Sequence, residues 1–150
     1  MIAVSAGRDA AEEVRIRAMV DAWTEAVRSG DIDARVADYA PDVLSFDAVD
    51  PLQRVGSPAV RERLAAWLSS YDGPVDYSPR DVAVTAASDV AFVHCLNHIR
   101  GTRSAGGDVD MWVRTTTCLR KLHGRWLIVH EHTSSPFDPQ TGLASVGLQP

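Results

Sequence analysis

The sequence predicts an α+β domain, and three observations carry that reading. Helical periodicity fills the first half of the chain and strand-like runs fill the second, the segregated order of an α+β fold rather than the alternation of an α/β one. The length of 150 residues suits a single domain, and a domain of that size buries about 68–70% of its unfolded surface while leaving room for a cavity. No repeat, low-complexity tract or linker divides the chain, so residues 1–150 are read as one domain with an irregular tail from about residue 135.

Between Asp9 and Ser29, Ile16, Met19, Val20, Trp23, Ala26 and Val27 recur at the three-and-four spacing of one helix face. Gly30 is the expected C-terminal cap. Asp31 then caps a short helix carrying Ile32, Val36 and Tyr39, which Pro41 stops, and a strand follows at Val43–Ala48. Gly56, Ser57 and Pro58 read as a turn, an N-cap and a first-turn proline. The helix they open has Val60, Leu64, Trp67, Leu68 and Tyr71 on one face and ends at Asp72-Gly73-Pro74.

The second half contains β-branched and aromatic-rich runs at Val75–Ala86, Val90–Arg100, Val109–Leu122 and Arg125–Ser134. Turn residues at 87–89, 101–107 and 123–124 separate them, and such short connections predict an antiparallel meander. The tail from Ser135, with Pro136, Pro139, Gly142 and Pro150, is expected to be irregular and free to drape across a neighbour.

The turn at His123-Gly124 decides which side chains share a sheet face. A two-residue turn needs positive φ at His123, whereas a three-residue loop places only Gly124 in the left-handed region, and the latter is preferred. It pairs Lys121 with Arg125, Thr117 with Val129 and Thr115 with Glu131. Val113, Thr115, Thr117, Leu119, Leu127, Val129, Glu131 and Thr133 then share one face. Trp112, Arg114, Thr116, Cys118, Arg120, Trp126, Ile128, His130 and His132 share the other. On the first face Glu131 is either a pocket acid with a pKa raised by desolvation or a glutamate paired with a cation or facing water. Tryptophans among cations on the second suit a sheet back covered by a second subunit, and a homodimer is expected.

Charge and composition exclude several classes. A net charge of −5 argues against a nucleic-acid or acidic-membrane binder. No run approaches about 18 apolar residues, so no membrane span is expected. The N-terminus MIAVSAGRDAAEEVR has too short an apolar stretch for a signal peptide. Cys95 and Cys118 lie in apolar runs without CxxC or Cys/His spacing, which reads as free thiols in a reducing, cytoplasmic compartment. His130 and His132 project alike on a strand, yet an HxH pair without a third ligand is too sparse, so no metal is expected. No GxSxG, paired cysteine nucleophile or phosphate-cradling loop is present, and no cofactor is expected.

The run from Trp23 to Gly56 resembles the bacterial ketosteroid isomerases of the nuclear-transport-factor-2-like superfamily. It carries Ser29-Gly30-Asp31, then YAPDVLSFD, then Gly56, with Asp47 nine residues before that glycine. The ending GRWLIVHEHTSSPFDP is similar to the last strand of calcium/calmodulin-dependent kinase association domains and of SnoaL-like domains. The resemblance implies a cone-shaped, curved antiparallel sheet wrapped around helices and enclosing a pocket, a cystatin-like α+β barrel. It places Asp47 at the position of the family's general-base aspartate. The family's oxyanion-holding tyrosine position reads Trp23, and its second acid falls near Thr117 or Thr116. Removing one oxyanion donor costs roughly 2.7–4 kcal/mol, so a true steroid isomerase is not expected.

The function read from these residues is a cofactor-free isomerase, lyase or cyclase-like enzyme for a small, apolar, carbonyl-bearing molecule. Asp47 is the expected base or acid and Glu131 a second proton-transferring or orienting group. Trp23, Phe46 and Trp67 are expected to wall the pocket. Asn97 or His94 is expected to donate to the substrate oxygen; being three apart on a strand, they face opposite ways, and the association-domain likeness favours Asn97 while the isomerase likeness favours His94 and His98. Thr117 and His132 complete the candidate binding residues. The competing expectation is a non-catalytic ligand-binding or oligomerisation domain.

Overall fold

The fold was analysed in a computed structural model, which describes residues 7–150. The first six residues of the stretch tested for a signal peptide lie outside that range. Helix α1 (Ala10–Ser29) starts where Asp9 accepts hydrogen bonds from the Ala11 and Glu12 amides and ends at Gly30 with φ 72°. Its buried stripe of Ile16, Val20, Trp23, Ala26 and Val27 is the face predicted from spacing. Helix α2 (Ile32–Val36) is capped by Asp31, whose side chain accepts from the Ala34 amide.

Tyr39 and Pro41 belong to a strand rather than to that helix or its end. Strand β1 (Tyr39–Phe46) contains both. Pro41 is tolerated because it falls in the irregular stretch between Tyr39 and Leu44 where the ladder shifts register. After β2 (Arg54–Val55), α3 (Ser57–Ser69) opens with Gly56, not Ser57, at the cap position and no side-chain cap. The Gly56 amide instead donates to Val43 O at 2.8 Å and ties the helix to β1. Tyr71 lies beyond the helix end.

Strands β3 (Asp76–Ala86), β4 (Val90–Thr102), β5 (Asp108–Leu122) and β6 (Arg125–Ser134) form the expected meander. The sheet order is β2-β1-β6-β5-β4-β3, antiparallel except for β1 beside β6. Register shifts in β1, β3 and β6 bend the strands, as bulges do. The inner face holds one apolar cluster around Ile16, Val43, Val93, Leu119 and Ile128, and a second of Tyr71, Val75, Ile99 and Val113 at the other end of the strands. Polar Asn97, Thr115 and Thr117 lie between them in register.

The β5–β6 turn corrects the expected register. Leu122 pairs with Arg125, so the turn has two residues, with φ 51° at His123 and 78° at Gly124. Its twist matches that of the flanking strands, which outweighs the cost of the left-handed histidine. A register shift then absorbs Val129: Leu119 pairs with Ile128, Cys118 with His130, Thr117 with Glu131 and Thr115 with Thr133. Trp126 and Ile128 therefore turn inward, contrary to the expected sorting, while Glu131 and Thr133 keep their expected face. Buried Trp126 donates its indole N–H to Glu12 within the chain and does not form an outer, partner-covered face.

The tail from Ser135 is irregular apart from a bridge between Phe137 and Ala144. Where β6 ends, it returns to its own sheet, the Trp112 amide donating to Val146 O at 3.4 Å. Among the described residues no helix is long and apolar enough to cross a membrane.

Candidate functional site

Strand alternation and one helix face build the site. Ser45 and Asp47 continue the inward set of β1, Thr115 and Val113 come from β5, and Glu131 and Thr133 from β6, after the bulge has reset their direction. Helix α3 supplies Val60, Arg63, Leu64 and Trp67 from its inward face, and α2 supplies Arg35. They enclose a cavity of about 550 Å³, within the range of small-molecule sites. A minor cleft of about 30 Å³ adjoins it, lined by Trp23, Asn97 and Thr117 and sharing Arg35, Tyr77 and Glu131 with the larger space.

Glu131 is the acceptor at the centre of a buried network. Tyr39 Oη donates to Oε1 at 2.8 Å, and Thr117 Oγ1 and Arg35 Nη2 donate to Oε2 at 3.2 and 3.3 Å. The Arg35 guanidinium also lies over the rings of Trp23 and Tyr39, 5.4 and 5.0 Å from their centroids. Burial by itself lowers the Arg35 pKa, yet Tyr39 and Glu131 beside it raise it overall. Burial pushes the Tyr39 phenol well above its ordinary value, with Arg35 opposing, so it stays a proton donor.

Asp47 stands at another edge of the same cavity. Its Oδ2 accepts from Arg63 Nε at 2.7 Å and from Arg54 Nη1 at 3.2 Å. Two guanidinium groups compensate the carboxylate where its side chain is 18% exposed. Among the described residues Oδ1 has no hydrogen-bond partner. Tyr77 also lines the cavity, and its hydroxyl is bonded to no described residue. Burial raises the Tyr77 pKa, with Arg35 opposing, which keeps the phenol protonated and able to donate.

The sequence-predicted residues divide. Asp47, Glu131 and Trp67 line the main cavity. Trp23 and Thr117 line the minor cleft with their donors already engaged, the Trp23 indole on Asp38 Oδ2 at 2.8 Å and the Thr117 hydroxyl on Glu131. Asn97 faces inward, but its amide donates to Thr115 Oγ1 at 2.9 Å. His94 is exposed on the opposite sheet face, stacked beside Phe92, because odd positions of β4 point inward. Phe46 and His132 are likewise on the outer face, their rings 5.6 Å apart, since the inward positions beside them are Ser45 and Glu131. His98 stacks on Trp112 at 4.3 Å on that same side. His130 places Nδ1 on Leu44 O at 2.7 Å, and no described group of three or more His, Cys, Asp or Glu residues is placed to hold a metal.

Sequence reasoning missed Arg35, Tyr39, Tyr77, Arg54 and Arg63. Arg35 carries no local motif, and reading Tyr39 into α2 hid its strand direction. Arg63 alone had a usable signal, one turn before Trp67 on the apolar face of α3.

A sequence model of the SnoaL-like domain family matches residues 16–138. A nuclear transport factor 2-like protein of unknown function from Pseudomonas putida KT2440 is 33% identical, with 96% of this chain and 100% of that chain covered and a TM-score of 0.88. A ketosteroid isomerase-like protein from Erwinia carotovora atroseptica SCRI1043 is 26% identical, covering 85% of this chain and 100% of that one at a TM-score of 0.72. A protein of unknown function with a cystatin-like fold from Nostoc punctiforme PCC 73102 shares the fold at 14% identity, with 87% and 94% covered and a TM-score of 0.69. No curated protein matches the chain.

Proposed function

We propose that this chain, which belongs to the SnoaL-like domain family, is a small-molecule isomerase, lyase or cyclase-like enzyme acting on an apolar carbonyl compound by side-chain acid/base chemistry. The observation that carries the reading is a single cavity holding a carboxylate oxygen, Asp47 Oδ1, and a phenol, Tyr77 Oη, both without a partner among the described residues. Asp47 Oδ1 takes the proton from the carbon beside the carbonyl, and the C–H electron pair moves toward the carbonyl oxygen. Tyr77 donates to that oxygen as charge builds on it. Asp47 returns the proton at another carbon, giving an isomer, or the electron pair breaks the bond to a leaving group, which departs with that pair and takes the proton from Asp47, giving a lyase product. Glu131 is the orienting group: its three donors fix Tyr39 and Arg35 as one wall of the cavity.

The donor pair of the ketosteroid isomerases has no counterpart at Trp23 and Thr117, whose donors serve Asp38 and Glu131. Tyr77 takes the place that sequence reasoning gave to Asn97 or His94. The same reading includes a homodimer formed through the outer sheet face, supported by Val90 and Phe92 exposed there, and a cytoplasmic location, supported by two free thiols.

The test is steady-state turnover of a panel of apolar ketones and enones. Asp47→Asn and Tyr77→Phe each lower kcat by about 100-fold or more, the usual share of a positioned acid or base. Unchanged turnover in Asp47→Asn removes Asp47 from the mechanism. A second reading, a non-catalytic ligand-binding domain, is favoured by the pairing of two of the cavity carboxylates, Asp47 and Glu131, with arginines. Recovery of an unmodified native ligand together with no turnover across the panel selects it.

A further inference from the structure

We propose that the compound held in the cavity carries a carboxylate, seated on Arg103 at the end remote from Asp47; this rests on the reading above and names its substrate class. Four arginines line the cavity. Arg35, Arg54 and Arg63 each lie beside a carboxylate, at 3.3, 3.2 and 2.7 Å. Arg103 has no carboxylate within 4.0 Å among the described residues. Its Nη1 donates to Ser70 Oγ at 2.7 Å, and its guanidinium lies over the Tyr71 ring at 4.6 Å. Nε and Nη2 bond to no described residue, and that edge is the fork that matches a carboxylate bidentately.

The cation is held in place before any ligand arrives. The Arg103 amide donates to Gly107 O at 2.9 Å, the Ser104 amide to Ser70 O at 2.9 Å and the Asp72 amide to Thr102 O at 2.8 Å. The first closes the loop after β4 and the other two stitch the end of α3 to the end of β4, so the guanidinium costs little further ordering on binding. Its distance from the reacting end follows from the helix. Arg63 holds Asp47 and Ser70, the C-cap of α3, holds Arg103, and the seven residue steps from one to the other rise roughly 10 Å. The wall over that span is apolar, with Leu64, Trp67 and Met111. One cation without a carboxylate matches a single negative charge, which favours a carboxylate over a phosphate dianion. The ligand is therefore an apolar body with its carbonyl near Asp47 and its acid near Arg103.

Octanoate and octanamide, equal in length and differing in charge, test this by calorimetric titration. The wild type is expected to bind octanoate about ten-fold or more tightly than octanamide, the scale of one charge-assisted hydrogen-bonded pair. Arg103→Gln removes the preference, Arg103→Lys retains part of it, and Asp47→Asn keeps it. Equal affinities in the wild type, absence of binding by both probes, or a preference that persists in Arg103→Gln overturns the proposal. Because binding is read without turnover, failure of the Asp47 mechanism leaves this result intact, and the reverse also holds.

Discussion

Tyr39 donates its hydroxyl to Glu131 Oε1 at 2.8 Å, joining residues 92 positions apart at the seam where β1 runs parallel to β6. Tyr39→Phe leaves Oε1 of that carboxylate without a donor among the described residues and is expected to cost about 1–3 kcal/mol of stability, as lost hydrogen bonds to charged groups do. Glu131→Gln in the same background adds less than it does alone, and the double-mutant cycle gives a coupling of about 0.5–3 kcal/mol by urea denaturation. Strict additivity contradicts the network.

Asp47→Asn removes the charge that compensates Arg54 and Arg63, whose side chains are 13% and 26% exposed. The variant is expected to lose about 1–3 kcal/mol, so its kinetics belong at a temperature well below its own Tm. An unchanged urea midpoint shows that the two arginines find other partners.

Much of the frame was legible. Gly30 and Asp31 mark the end of α1 and the start of α2 by cap chemistry that depends only on neighbours in sequence. The strand runs were legible for the same local reason. The direction of β6 side chains was not, because the register shift at Val129 adds to the one made at His123-Gly124, restoring the expected face but not the expected pairing, and no local pattern announces the bulge. Glu131 reached its expected face through two departures from the expected ladder. Phe46 misled because it is the apolar neighbour of Asp47, yet alternation sends adjacent strand residues to opposite faces. Arg35 was invisible because its ion pair with Glu131 joins distant segments.

Gly101 and Tyr71 give a packing test near the Arg103 end. A Cβ on Gly101 would sit 2.8 Å from Tyr71 Cδ1 and 3.0 Å from Cε1. Gly101→Val is therefore expected to cost about 1–3 kcal/mol through overpacking. Tyr71→Phe has the opposite sign: its hydroxyl is buried without a hydrogen-bond partner, so removing it is neutral or stabilising by up to about 1 kcal/mol. Thermal melts that show Tyr71→Phe strongly destabilised contradict the buried hydroxyl.

Glu12 gives a pH test at the other end of the core. Its carboxylate lies below the ordinary range because Lys121 and then Trp126 donate hydrogen bonds to it, against the opposing effect of burial. A depressed folded-state pKa means that the unfolded chain binds the proton more readily. The stabilisation is present above the ordinary carboxylate pKa of about 4.3 and is lost as pH falls through the lower folded value. Urea midpoints measured from pH 7 to pH 3 should fall less steeply for Glu12→Gln than for the wild type. Parallel curves contradict the assignment.

The most direct measurement is proton exchange at carbon. Apolar ketones incubated with the protein in D2O are followed by NMR for loss of the hydrogens beside the carbonyl. The account predicts deuterium uptake with the wild type that falls to background with Asp47→Asn and is strongly slowed with Tyr77→Phe. Uptake equal in wild type and Asp47→Asn, or none with any ketone of the panel, contradicts it.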